Sequence, residues 1–98
     1  MMEERDYLII LYDFYSDLLN DKNKEYFEDY YFNNLSLGEI SENIGISRNA
    51  IHKNIKSTID KLYFYEEKLG LYRKKKELEK IIDLVDSEDI KNKLKDIY

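Results

Sequence analysis

Within ten residues the sequence sets Ser47, Arg48, Asn49, His52, Lys53 and Lys56 at intervals of one, three and three or four. On a helix, that spacing collects them along one side. Arginine and lysine reach guanine O6 and N7, asparagine pairs with adenine, and serine, lysine and arginine all hold phosphate oxygens. The chemistry of such a face is recognition of a polyanion, with no bond broken. Elsewhere the residues for catalysis are missing. His52 is the only histidine and there is no cysteine, so a histidine or cysteine zinc cluster and a thiol nucleophile are excluded. Asp83, Asp86, Glu88 and Asp89 are close in sequence, yet they lack the glycine and the alternating oxygen ligands of a calcium loop. No glycine-rich loop is available to cradle a phosphate. Neither enzymatic activity nor a cofactor nor a metal is expected.

Two short helices meeting through a tight turn would display this face. Ser36 stands at an N-cap position with Glu39 three residues on, the pattern of a capping box, so a helix is expected from Leu37. Leu37, Ile40, Ser41 and Ile44 share one side of it, Ser41 being small where a second helix must pass close. Gly45 can adopt the left-handed conformation that closes a helix. Ile46 is expected to turn back into the core and Ser47 to cap the second helix, with Ile51 and Ile55 facing inward. The pattern is that of a helix-turn-helix over residues 36–56. Asn54 departs from it, standing where many such motifs carry an apolar residue, with Ile55 beside it. The second helix is therefore expected to be slightly rotated, or to continue as a longer element.

Composition agrees with an all-α fold. There are 98 residues, no proline, three glycines and 43% hydrophobic content, enough for one modest core. An acidic start from Met1 to Asp6, and Asp13 and Asp17 interrupting the apolar run from Tyr7, argue against a signal peptide and against membrane insertion. A cytoplasmic location is expected, and the absence of cysteine fits a reducing compartment. The net charge of −5 is uneven: residues 1–46 carry −8, residues 47–80 carry +5 and residues 81–98 carry −2. A polyanion would be drawn to the middle segment and repelled by its flanks.

The remaining elements follow from apolar periodicity. A first helix is expected from Glu4 to Leu19 through Leu8, Leu11, Tyr12, Tyr15, Leu18 and Leu19, its stripe widened by Ile9, Ile10 and Phe14. A second, capped at Asn20 or Asp21, runs to about Phe32 with Tyr26, Phe27, Tyr30 and Tyr31 inward. After the motif one long helix is expected, with Ile55, Ile59, Leu62, Tyr65, Leu69 and Tyr72 as its seam and a bend at Gly70 or at the basic run Arg73, Lys74, Lys75 and Lys76. Ser87 can cap a last helix. Residues 1–62 are thus expected to form a helical domain containing the motif, and residues 63–98 a helical extension serving as a dimerisation or docking arm.

The segment from Leu35 to Leu62, with its Ser-Arg-Asn-Ala-Ile and Asn-Ile-Lys runs, together with Tyr12–Leu19 and Tyr26–Tyr31, resembles the YlxM family of small bacterial proteins, whose motif is similar to region 4 of sigma factors. Asn54 beside Ile55 fits that family. The resemblance implies a cytoplasmic, regulatory accessory of the signal recognition particle pathway, and it maps Ser47, Arg48, Asn49, His52, Lys53 and Lys56 onto the face that meets DNA. Three readings stay open. A homodimeric regulator would touch base edges with Arg48, Asn49 and Lys53 and phosphates with Ser47, Lys56 and Lys61. An accessory of the particle would meet its RNA or its GTPase through the basic stretch from Lys61 to Lys80, including Arg73, Lys74, Lys75 and Lys76. In the third reading the protein is a protein–protein adaptor whose helix-turn-helix is vestigial.

Overall fold

Apolar side chains three and four residues apart make the first helix the natural centre of the molecule, because a stripe that wide needs more than one neighbour to cover it. The computed structural model describes Met2 and residues 4–97. Helix α1 covers Glu4–Tyr15 and ends in a 3-10 turn, Ser16–Leu18. It is followed by α2 (Asp21–Tyr31), α3 (Leu37–Ile44), α4 (Arg48–Leu69), α5 (Leu71–Asp83) and α6 (Glu88–Lys95), with no strand among the described residues. Positions 1 and 98, the outer limits of the two expected segments, lie outside the described residues.

Local chemistry sets the helix ends. Asn20 caps α2, its Oδ1 accepting from the Asn23 backbone N–H at 2.8 Å. Ser36 and Glu39 form a complete capping box: Ser36 Oγ accepts from the Glu39 N–H at 3.1 Å, and Glu39 Oε1 from the Ser36 N–H at 3.0 Å. Gly45 closes α3 at φ +85°, a conformation costing a residue with a Cβ about 1–2 kcal/mol. Ser47 caps α4 and Ser87 caps α6, accepting from the N–H groups of Ala50 and Ile90.

Two apolar clusters form the interior. Leu8, Leu11, Tyr12, Tyr15 and Leu19 pack with Phe27 of α2 and Leu62 of α4. Tyr26, Ile40, Ile51 and Ile55 form the second, which holds α3 across α4. Tyr31 and Ile59 pack against both clusters, so the motif is mounted on α1 and α2 rather than hung from them.

The structure corrects the expected interior at three apolar positions. Leu18 is 54% exposed, because the 3-10 turn breaks the phase of the α1 stripe. Ile46 does not return to the core; it is 38% exposed, and its carbonyl instead accepts from the Ser41 hydroxyl inside the turn. Leu69 is 44% exposed, since the long helix stops one residue later. Tyr30, also expected inward, lies at the surface.

At Gly70 the chain does more than bend. Gly70 takes φ +61° and ends α4, and α5 starts at once. Its free N–H groups, with no capping side chain of their own, are met from across the break. The Glu66 carboxylate accepts from the N–H groups of Tyr72 and Arg73 at 3.1 and 3.2 Å, and Tyr15 Oη accepts from the Leu71 N–H at 3.0 Å. Tyr15 in turn donates its hydroxyl proton to Glu66 Oε1 at 2.6 Å. Tyr72 continues onto α1, its ring 5.7 Å from that of Tyr7 and 6.2 Å from that of Phe14.

Burial, together with the hydrogen bond to Glu66, pushes the Tyr15 hydroxyl up to about 12 from 10.0. Tyr12, buried and donating to Glu28 Oε2 at 2.7 Å, is raised as well. Between these folded-state values and 10, the native chain keeps protons that the unfolded chain has released. Stability present below pH 10 is therefore lost as pH rises toward 12. Urea midpoints measured from pH 8 to pH 11.5 should fall over that upper range, and the fall should be shallower in Tyr15→Phe; an equal fall in both proteins would remove Tyr15 as a cause.

Candidate nucleic-acid interface

Helix α4, capped by Ser47, turns its inner side through Ile51, Ile55, Thr58 and Leu62 into the core. That rotation fixes what is left outside. Arg48, Asn49, His52, Lys53 and Lys56 are all exposed, and among the described residues none of them forms a salt bridge. The first turn of α4 holds no acidic residue, so the positive end of the helix dipole adds to the cations. Ser47 lies at the same end, exposed, its Oγ occupied as the cap. The Arg48 guanidinium lies over the start of α3, where a methyl group on Gly38 would come within 2.8 Å of Nη2. Beyond Lys56 the outward face changes character, with Asp60, Phe64 and Glu67 exposed.

Asn54 owes its place to a partner far away in sequence. Its Oδ1 accepts from Asn23 Nδ2 at 3.1 Å, and Asn23 Oδ1 accepts from Lys61 Nζ at 3.1 Å. Asn23 is buried, so the three side chains form a satisfied polar tie between α2 and α4. Ile55, beside Asn54, takes the core position. Lys61, expected to hold phosphate, is half-buried and committed to α2. Asn23 was missed, although its spacing from Tyr26 and Phe27 puts it on the inner face of α2.

The run Arg73, Lys74, Lys75 and Lys76 does not form one patch. Successive residues are about 100° apart on a helix, so the four wrap around α5. Arg73 lies against Gly70, where an added methyl group would come within 2.8 Å of Nη2. Lys75 Nζ sits 5.7 Å from the Phe14 ring centroid and Lys76 Nζ 5.7 Å from that of Tyr72. Lys74 and Lys75 border an apolar groove of about 300 Å³ with Phe14, Leu71, Leu78 and Ile97.

Among the described residues no group of three or more His, Asp or Glu side chains is arranged to hold a metal ion. Of the acidic residues near α6, Glu88 faces Lys91 at 3.9 Å and Asp89 faces Lys93 at 3.5 Å. No helix among them is long and apolar enough to cross a membrane.

Residues 2–97 match the family described as "Putative helix-turn-helix protein, YlxM / p13 like". A UPF0122 protein of Caldanaerobacter subterraneus subsp. tengcongensis is 51% identical over 79 residues, covering 81% of this chain and 68% of the relative. A UPF0122 protein of Listeria innocua serovar 6a is 44% identical over 88 residues, covering 90% and 80%. One from Thermoanaerobacter sp. (strain X514) is 46% identical over 79 residues, covering 81% and 68%.

Proposed function

Because the chain belongs to the UPF0122 family of YlxM- and p13-like helix-turn-helix proteins, we propose that it binds nucleic acid through the first two and a half turns of α4 and acts as a regulatory accessory of the protein-targeting pathway of the signal recognition particle. The observation that carries the binding role is the exposed strip Arg48, Asn49, His52, Lys53 and Lys56 on a helix whose inner side is fixed by Ile51 and Ile55. In this reading Arg48, Asn49 and Lys53 contact base edges while Ser47 and Lys56 contact phosphates. The targeting role rests on the likeness to YlxM.

Pairing of two copies has its own support. Leu84 is 82% exposed, Ile90 50% and Ile97 73%, so the arm presents apolar side chains that a second copy would cover. A homodimer would also bring two reading helices to one ligand. A docking role for Arg73, Lys74, Lys75 and Lys76 on the particle's RNA or GTPase is less supported, since their side chains point to different sides of α5.

The deciding experiment is capture of the tagged chain from native lysate with ribonuclease, with deoxyribonuclease and with neither. Particle components retained only while RNA survives would support the accessory role. A recurrent duplex fragment lost only to deoxyribonuclease would favour a DNA-binding transcriptional regulator, and protein capture indifferent to both nucleases a protein–protein adaptor.

A further inference from the structure

Beside the basic strip, where the end of α2 meets α3 and α4, there is a small cleft. Its walls are Tyr30 and Tyr31 of α2, Leu37 of α3, and Ile55 and Ile59 of α4, with His52 and Lys56 completing the lining. Its volume is about 180 Å³, below the roughly 300 Å³ at which sites for drug-sized ligands begin and suited to one planar ring. The two tyrosines stand edge to face, 5.1 Å apart at 80°. Tyr31 is braced from behind by Arg5, whose guanidinium lies 5.6 Å from its ring centroid and donates to the Tyr31 carbonyl and to Asn34 Oδ1. Tyr30 packs on the edge of Tyr31 and is 36% exposed. An aromatic wall next to a cation is the arrangement that holds unstacked bases, because every base has a stacking face and carries a phosphate beside it.

We propose that this cleft receives a single unstacked nucleobase, packed against Tyr30, with the adjoining phosphate on Lys56 and the His52 ring at the base edge. The proposal rests on the nucleic-acid reading above and narrows its ligand class. Bases inside a regular duplex are stacked on both faces and cannot enter, so the ligand is a helix carrying an unpaired base, as a bulge or at a loop junction. Helix α4 faces the paired part, and the cleft takes the base that leaves the stack.

The test uses the full chain and four oligonucleotides: a fully paired hairpin and the same hairpin with one bulged 2-aminopurine, each as RNA and as DNA. At low salt the bulged form of at least one polymer should bind at least about fivefold more tightly than its paired form, and 2-aminopurine emission should fall as its ring stacks. Tyr30→Ala should abolish both the preference and the emission change while Tyr30→Phe retains them, and thermal melts of the free variants check that the fold persists. Whether the preference occurs in the RNA pair or the DNA pair identifies the polymer. Equal binding of paired and bulged forms, or an unchanged preference in Tyr30→Ala, overturns the cleft proposal while leaving the nucleic-acid reading in place. Binding of none of the four overturns both.

Discussion

Ile51→Ala is expected to lower the unfolding free energy by about 2–5 kcal/mol, a large part of the roughly 5–15 kcal/mol that stabilises a domain. Ile51 is fully buried with Tyr26, Ile40 and Ile55, and it is the first residue of α4 to reach the core. Truncating it leaves a cavity at the point where α3 and α4 cross, and removes the contact that orients the exposed strip. Ile46→Ala is the control, two residues before α4 and already 38% exposed; its cost should be under about 1 kcal/mol. Urea denaturation of the two variants gives the comparison. Equal losses would mean that the crossing is held by the turn rather than by the cluster beneath it.

A comparable effect is expected on binding, with no change in stability. Arg48→Ala should weaken binding to a preferred site by about 1–3 kcal/mol. Lys53→Gln combined with Lys56→Gln should weaken binding to every sequence and flatten the slope of log K against log salt by about 2. All three side chains are exposed, so their removal should alter stability by no more than about 0.5 kcal/mol. Lys61→Gln provides the opposite signature: its ammonium is bonded to Asn23 within the protein, and the variant should lose stability while keeping the full salt slope. Anisotropy titrations at several salt concentrations separate these cases. A salt slope unmoved by loss of Lys53 and Lys56 would falsify the assignment of this strip as the polyanion contact.

Features decided within one turn of chain were legible in the sequence. Ser36 with Glu39, Gly45 and Ser47 each act on backbone groups three or four residues away, so their roles can be read without knowing the fold. The exposed strip was legible for the same reason, because burying Ile51 and Ile55 forces His52, Lys53 and Lys56 outward. Features that depend on distant partners were not. Asn54 is settled by Asn23 and Lys61 by the same residue, 31 and 38 positions away. Periodicity placed Leu18 inside together with Leu19, and only Leu19 is buried, because a 3-10 turn changes the angle per residue without changing the composition. The cleft beside His52 needs Tyr30 from another helix, and Tyr30 read as interior from its spacing alone.

The joint at Gly70 decides more than where one helix ends. The molecule measures 56 × 26 × 24 Å with a radius of gyration of 17.2 Å, against about 13 Å for a typical compact chain of this length. At the break α5 takes its own direction, with Tyr72 and Lys75 lying against Tyr7 and Phe14 of α1. That direction is set by Glu66 and Tyr15 rather than by continuity with α4, so α1 acts as the gunsight for the arm. If two copies join through their arms, the distance between their reading helices is written into one carboxylate and one phenol. Substitution at Glu66 would then alter the reach of the pair while leaving the grip of each copy untouched.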